Sequence, residues 1–190
     1  MPERELVMTG IGGQGVQLAA QLLARALVAE GRHVLLFGSY GGMMRGGNTD
    51  ATLVVGDTPV QSPPTVVDAW SAIVMHHEHW PSARRRLRPD ATVVVNTTLL
   101  DAAVWPGPRI AVPAGTVALE LGTATVATMV ALGAYAVATG IVGVDTLVGA
   151  VPESLPPYRQ QHRAINEDAL RAGAALVTAV VTPAWSGVLA

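Results

Sequence analysis

The chain has 190 residues, half of them apolar, and a formal net charge of −2 at pH 7. This length and apolar fraction are typical of one domain whose core needs no cross-links, and the net charge leaves no basic excess to attract nucleic acid or anionic lipid. The sequence contains no Cys, which excludes disulfides, thiol nucleophiles and thiolate-bound iron–sulfur clusters in this chain and is compatible with a cytoplasmic location.

A strand, a glycine-rich turn and a helix open the chain. Residues 6–9 form an apolar run that predicts a strand, and residues 16–30 place leucines on one helical face and glutamines on the other. Gly31 follows as a helix stop. Residues 33–37 predict a second strand, so the opening segment is a β–loop–α–β unit with a right-handed crossover between parallel strands.

The middle of the chain alternates short strands and helices. A loop is expected at residues 38–47, because so many glycines disfavour both a helix and a central strand. Residues 49–55 alternate in the manner of a half-buried strand, a Val-rich run bounded by turn residues predicts a strand at residues 92–96, and a further strand is predicted at residues 109–112. Helices are predicted at residues 68–73 and 81–87, with an alternative strand at residues 72–75 and a turn at residues 88–90.

Helices dominate the last third of the chain. Residues 121–144 carry no charged side chain, but they are rich in Ala, Gly and Thr and lack a basic flank. We therefore predict a buried helix at residues 118–135, ended by later glycines, rather than a membrane span. Two further helices are predicted at residues 145–151 and 163–181.

Alternating strands and helices predict an α/β protein. We expect a three-layer α/β/α sandwich with a mostly parallel, Rossmann-like sheet, formed by a single domain over residues 1–182. Residues 183–190 are predicted to form a C-terminal tail, or a segment that docks on a partner through Trp185.

The first candidate site is the first glycine loop, residues 10–15. Gly10, Gly12 and Gly15 have the spacing G-x-G-x-x-G, which lets a backbone approach a phosphate at a helix N-terminus. Gly13 and Gln14 complete the loop, and the Gln14 amide can donate to a ligand or a neighbouring subunit. A dinucleotide site also needs an acidic residue after the second strand, where the sequence has Phe-Gly-Ser. Nucleotide binding and plain strand–helix packing both stay open.

The second candidate site, here called the second glycine segment, lies just past the second predicted strand. Its site residues are Ser39, Tyr40, Gly41, Arg45, Gly46 and Gly47. Ligands of open α/β sheets bind at the carboxyl edge of the strands, and an Arg between glycines can present its guanidinium to a phosphate or carboxylate. We expect a ligand or subunit contact here, with a plain surface loop as the alternative.

Two polar clusters favour structural roles. Three histidines and a Glu lie within residues 76–79, but adjacent side chains diverge on a strand or a helix, so we predict a hydrated surface or a subunit contact with Trp80 and no metal site. The Arg run at residues 84–88 predicts a solvated helix face. No acid–base pair, serine elbow or other catalytic group is predicted in this chain.

Taken in order, these motifs resemble the gamma subunit of the 2-oxoacid:ferredoxin (acceptor) oxidoreductases, of the pyruvate, 2-oxoglutarate, 2-ketoisovalerate or indolepyruvate type. The resemblance rests on residues 10–15, 39–41, 45–47, 57–60, 62–63, 121–122, 129–133 and 166–173. It covers nearly the whole chain. The chain departs from the family's usual Pro and acidic residue after the Tyr-Gly pair, where it has Gly42 and Met43.

The resemblance implies a division of labour within a complex. Sister alpha and beta subunits bind thiamine diphosphate and decarboxylate a 2-oxoacid, iron–sulfur clusters on a ferredoxin-like delta subunit pass electrons to ferredoxin, and coenzyme A accepts the acyl group. The gamma chain contacts ligands or sister subunits, holds no catalytic residue and is inactive alone. A homodimer, and a free-standing Rossmann-like module that binds a nucleotide or coenzyme A, stay open as alternatives.

Overall fold

The structure is a computed structural model that describes residues 3–40, 47–61 and 65–186. Its centre is a sheet whose strands are β1 (Arg4–Ile11), β2 (His33–Tyr40), β3 (Asn48–Gly56), β4 (Ala69–Val74), β5 (Leu87–Asn96) and β6 (Arg109–Val112). Their order across the sheet is β2-β3-β1-β4-β5-β6. Since β3 alone runs against its neighbours, the prediction of a mostly parallel sheet is confirmed.

The first three strands are ordered differently in the sheet and in the sequence. β1 and β2 point the same way, as the β–loop–α–β pattern predicts, but β3 returns from β2 and inserts between them. The pairing of β1 with β3 runs from Arg4↔Val55 to Ile11↔Asn48. The end of β1, the end of β2 and the start of β3 therefore lie at one edge of the sheet.

Helices cover the two faces of the sheet unequally. The described α-helices are α1 (Val16–Ala29), α2 (Trp80–Arg84), α3 (Ala114–Glu120), α4 (Ala127–Thr139), α5 (Val144–Gly149), α6 (Val151–Ser154) and α7 (Arg163–Ala175). One face packs its apolar side chains against α1 and α3 to α7, and the opposite face packs against the short α2 and connecting segments. The α/β class is confirmed, and the second helical layer consists of short pieces.

The helix α4 is buried along its whole length. Every residue in it except Val137 is buried. A Cβ on Gly133 would overlap the carbonyl oxygen of Leu170 in α7, and a Cβ on Gly173 of α7 would overlap the carbonyl oxygen of Val130. The two helices thus approach each other at backbone distance. Within the described ranges, no helix has both the length and the apolarity needed to cross a bilayer.

Three predicted elements are wrong, and each error has a physical reason. Residues 68–73 contain the start of β4 rather than a helix, because this central strand is buried on both faces and so lacks the alternation of a half-buried strand. The helix predicted at residues 118–135 is two helices, since Gly122 adopts a φ of 103° and Thr123 caps the turn that follows. The turn predicted at residues 88–90 lies within β5, beside a register shift between β4 and β5.

The helix predicted at residues 163–181 ends early, as α7 at Ala175. The chain then returns to the end of α4. Val181 N and Thr182 N donate to the carbonyl oxygen of Ala138 at 2.7 and 3.1 Å. Because the last carbonyls of a helix have no partner within the helix, this return supplies their donors.

Trp185 packs inside the chain. Its side chain is 7% exposed, and its Nε1 donates to the carbonyl oxygen of Ile141 at 3.0 Å. The guanidinium of Arg32 lies 4.0 Å from the centre of its ring. Trp185 is therefore engaged by its own domain rather than presented to a partner, and residues 187–190 of the predicted tail lie outside the described residues.

We predict that Gly133→Ala destabilises the protein, because the new Cβ has no room beside the Leu170 carbonyl. Gly149→Ala in α5 is the matched control, since a Cβ there meets nothing within 4 Å. The first change should lower the free energy of unfolding by about 3 kcal/mol, and the second should leave it unchanged or raise it by up to about 1 kcal/mol. Urea unfolding measures both. Equal stabilities would contradict the close α4–α7 contact.

Candidate functional site

The first glycine loop joins β1 to α1 at the carboxyl edge of the sheet. Gly13 has a φ of 100°, and Gly15, which precedes α1 as its N-cap, has a φ of 80°. Side chains rarely tolerate this left-handed region. Gly10 is needed for another reason, because its Cβ would lie 2.6 Å from Oε1 of Gln14. The glycines thus serve both a tight turn and a close strand–helix contact.

Gln14 holds the first glycine loop through its side chain and its backbone. Its Oε1 accepts a hydrogen bond from Ile11 N at 3.0 Å, and its carbonyl oxygen accepts one from Oγ1 of Thr128 at 2.5 Å. Thr128 lies in the first turn of α4. The loop is therefore tied to the buried helix, and the shape of its backbone is fixed by groups that are far away in sequence.

The second glycine segment connects β2 to β3 and meets the first glycine loop. The strand β2 extends through Ser39 and Tyr40, beyond its predicted end. The carbonyl oxygen of Gly47 accepts a hydrogen bond from Gly12 N at 2.9 Å. This backbone contact brings the two predicted sites together. Three other predicted site residues lie outside the described residues: Gly41, Arg45 and Gly46.

A cleft of about 290 Å³, here called the edge cleft, opens at this edge of the sheet. Gly13 and Gln14 are the predicted site residues that line it. The remaining lining residues come from the end of β5 and the turn after it, from α3, and from the turn before α4 and its first residue: Asn96, Thr98, Leu99, Gly115, Leu119, Ala124, Thr125 and Ala127. None of these lining residues carries a charge. Leu99 and Leu119 are 44% and 63% exposed, so the cleft has an apolar rim.

Asn96 is a site residue that the sequence prediction missed. It ends β5, is 1% exposed and lines the edge cleft. Its Oδ1 accepts hydrogen bonds from Thr98 N and Gly115 N, each at 3.3 Å, and its Nδ2 donates to the carbonyl oxygen of Met75 at 3.2 Å. One amide thus joins the ends of β4 and β5 to the start of α3. A lone amide that ends a Val-rich strand was the available sequence signal.

The edge cleft suits an uncharged, hydrogen-bonding ligand. α1 begins beside it with no side-chain cap and no acidic residue in its first turn, which leaves N–H groups free to donate. The lining residues supply no Arg to pair with a diphosphate and no carboxylate to hold its Mg²⁺. The described lining residues therefore offer hydrogen-bonding groups without a charged side chain.

The histidine cluster lies just beyond β4. The rings of His76 and His77 stack with their centres 4.4 Å apart, and Nδ1 of His76 accepts a hydrogen bond from Glu78 N at 3.3 Å. Burial, together with the neighbouring His77, lowers the pKa of His76. In the described part of the chain, no group of three or more His, Cys, Asp or Glu side chains is placed to hold a metal ion. Trp80 packs edge-on against Trp105 inside the domain.

The Arg run divides into two pairs. Arg84 and Arg85 are exposed, as predicted for a solvated helix face. Arg86 instead donates to Oγ1 of Thr52 at 2.7 Å, and Arg88 donates to a carboxylate oxygen of Glu5 at 2.6 Å. The second pair is therefore occupied in contacts with β3 and β1.

Known proteins similar to this chain are subunits of oxidoreductases. The family model described as pyruvate ferredoxin/flavodoxin oxidoreductase matches residues 5–176. The 2-oxoglutarate synthase subunit KorC of Methanothermobacter thermautotrophicus is 30% identical over 183 residues, covering 92% of this chain and 95% of the relative. The pyruvate/ketoisovalerate oxidoreductases common subunit gamma of Thermococcus litoralis is 28% identical over 158 residues, covering 79% of this chain and 85% of the relative.

Solved structures share the fold. The pyruvate oxidoreductase subunit PORC of Thermotoga maritima has a TM-score of 0.74 at 25% identity, covering 91% of this chain and 96% of that chain. The 2-oxoglutarate:ferredoxin oxidoreductase of Magnetococcus marinus, solved with 2-oxoglutarate, coenzyme A and succinyl-CoA bound, has a TM-score of 0.82 at 18% identity, covering 96% of this chain and 33% of that chain. The same fold thus occurs as a separate small chain and as a third of a longer one.

Asn96→Ala should destabilise the protein, because two backbone N–H groups and one carbonyl would lose their partner. We expect the free energy of unfolding to fall by about 2 kcal/mol. Leu99→Ala, on the exposed rim of the same cleft, is the control and should change it by less than about 1 kcal/mol. Urea unfolding of both variants distinguishes them. A wild-type stability for Asn96→Ala would rule out the role assigned to the amide.

Proposed function

This chain belongs to the pyruvate ferredoxin/flavodoxin oxidoreductase family, and we propose that it acts as the gamma subunit of a complex that oxidatively decarboxylates a 2-oxoacid. The observation that carries the proposal is the match over nearly the whole chain with relatives that are themselves small subunits. In the proposed reaction a 2-oxoacid and coenzyme A yield an acyl-coenzyme A and carbon dioxide, and the electrons released pass to ferredoxin.

The proposal assigns the reactive groups to other subunits. Thiamine diphosphate, held by the alpha and beta subunits, supplies the electron sink for decarboxylation. Iron–sulfur clusters belong to a ferredoxin-like delta subunit, because this sequence has no Cys to ligate one through thiolates. The isolated gamma chain is therefore inactive, and the complex is placed in the cytoplasm, a location compatible with a chain free of Cys.

In this proposal the gamma chain binds and orients coenzyme A at the edge cleft. N–H groups at the start of α1 and the amide of Gln14 are donors for its uncharged arm. The exposed rim formed by Leu99 and Leu119 excludes water from that arm. Arg45, in the second glycine segment, is the proposed partner for the phosphates, because a guanidinium pairs with phosphate oxygens through two hydrogen bonds.

A free-standing module that binds a nucleotide or coenzyme A is the second candidate, and the uncapped start of α1 favours it. Isothermal calorimetry of the isolated chain with NAD, FAD, ATP and coenzyme A separates the two functions. Tight binding of a dinucleotide, with no association to any sister subunit, would favour the free-standing module. A homodimer in the absence of sister subunits is compatible with either function.

We predict that the chain co-purifies with the products of neighbouring genes as one complex. The complex should reduce a viologen dye in a reaction that depends on both a 2-oxoacid and coenzyme A. 2-Oxoglutarate, pyruvate and 2-ketoisovalerate are the substrates to compare. If the chain associates with no thiamine-diphosphate-binding protein, the proposed function is wrong.

Arg45→Ala should raise the KM for coenzyme A of the assembled complex by roughly tenfold, since a charge-assisted bond to phosphate contributes about 1.5 kcal/mol. The subunit should keep its wild-type melting temperature. Arg25→Ala, an exposed position on α1, is the matched control and should leave the KM unchanged. Steady-state kinetics of the three complexes test this, and a wild-type KM for Arg45→Ala removes Arg45 from the site.

A further inference from the structure

Gln17 connects the first turn of α1 to the hairpin of β2 and β3. Its Nε2 donates to the carbonyl oxygen of Asp50 at 2.6 Å. Its Oε1 lies 2.5 Å from the position that a Cβ on Gly38 would occupy. Gly38 has an ordinary backbone conformation, so this position excludes a side chain because of the glutamine and not because of its φ angle.

A second glutamine, Gln14 in the first glycine loop just before α1, has a matching arrangement. Oε1 of Gln14 lies 2.6 Å from the position of a Cβ on Gly10, just as Oε1 of Gln17 lies against Gly38. Gly10 belongs to β1 and Gly38 to β2. The first glycine loop and the first turn of α1 therefore each place one side-chain amide against a strand glycine, Gly10 in β1 and Gly38 in β2.

The contact of Gln17 has a consequence at the edge of the sheet. Ser39 pairs with Asp50, so the acceptor of the Gln17 amide lies at the end of the hairpin that leads to the second glycine segment. On the other side, Gly12 N holds the carbonyl oxygen of Gly47 at 2.9 Å. The hairpin end is thus fixed to the first glycine loop by one backbone bond and to α1 by one side-chain bond.

We propose that Gln17 is a positioning residue that sets the β2–β3 hairpin against the first glycine loop, and that turnover of the assembled complex depends on it. The inference rests on the proposed function for its second part only. Gln17 reaches the hairpin through the backbone of Asp50 and is not among the residues that line the edge cleft. Its effect therefore passes through the placement of the described end of the β2–β3 hairpin relative to the first glycine loop.

The role of Gln17 in positioning the β2–β3 hairpin is tested on the isolated chain by measuring hydrogen exchange of residues 36–40 and 48–52. Gln17→Ala and Gln17→Met should each speed exchange there by roughly fivefold, because both remove the donor to the carbonyl oxygen of Asp50. The Met side chain keeps the length of Gln, so this variant isolates the loss of the donor. Gln21→Ala, an exposed residue one turn further along α1, is the control and should change nothing. Wild-type exchange rates in Gln17→Met would overturn the positioning role.

Gly38→Ala gives an independent test of the same contact. Its new Cβ displaces the Gln17 amide, so it should reproduce the exchange rates of Gln17→Ala. In the double variant the Cβ enters the space that the amide has left, so the effect should be no larger than that of either single change. Additive effects would overturn the contact, because they would mean that the two positions act separately.

The catalytic consequence is measured on the assembled complex. Gln17→Met should lower kcat or raise the KM for coenzyme A by roughly fivefold, with the subunit's melting temperature little changed, whereas Gln21→Ala should match the wild type. Altered exchange with wild-type kinetics would overturn the dependence of turnover on Gln17. Failure of the wild-type chain to assemble would overturn the proposed function and that dependence together, while the exchange data would still decide the hairpin contact.

Discussion

The helix α4 is buried along nearly its whole surface, and it meets α7 at backbone distance. It has no polar face, so the sheet, α1, α3 and α7 must cover it together. Gly133 and Gly173 remove the two Cβ atoms that would hold α4 and α7 apart. Aromatic residues make up only 4% of the sequence, so this core gains its contacts from the close approach of small side chains. The buried hydroxyl of Tyr135 is satisfied by Oγ of Ser71 at 2.9 Å.

The position of α4 also determines the candidate site. Its first turn donates from Thr128 to the carbonyl of Gln14, and its first residue, Ala127, lines the edge cleft. Its last carbonyls accept from the C-terminal segment, which is anchored in turn by Trp185. The same helix therefore contacts α7 at Gly133 and the first glycine loop at Thr128. One end of α4 lines the edge cleft, and its other end accepts hydrogen bonds from the C-terminal segment.

Local pattern was enough to predict β1, α1 and β2, because their apolar periodicity and glycine punctuation lie within one stretch of chain. The insertion of β3 between β1 and β2 depends on contacts between segments that are far apart in sequence. The alternating pattern of β3 is equally compatible with a strand at the edge of the sheet. The error at β4 has a similar origin. Ala69 and Ala72 have helical propensity, and only the burial of both faces of this central strand favours extended backbone. Contacts with the rest of the fold therefore determine both the position of β3 in the sheet and the extended backbone of β4.

Gly13 and Gln14 of the edge cleft could be predicted from the sequence, since they belong to a continuous glycine motif. The other eight described lining residues, including Asn96, Gly115 and Thr125, come from separate segments whose residues are individually common. What they share is a lack of charge. Groups of this kind can orient an uncharged arm, but they cannot neutralise a diphosphate or move a proton at neutral pH. A cleft lined by glycines, amides and apolar side chains is therefore suited to orient a bound group rather than to carry out acid–base chemistry.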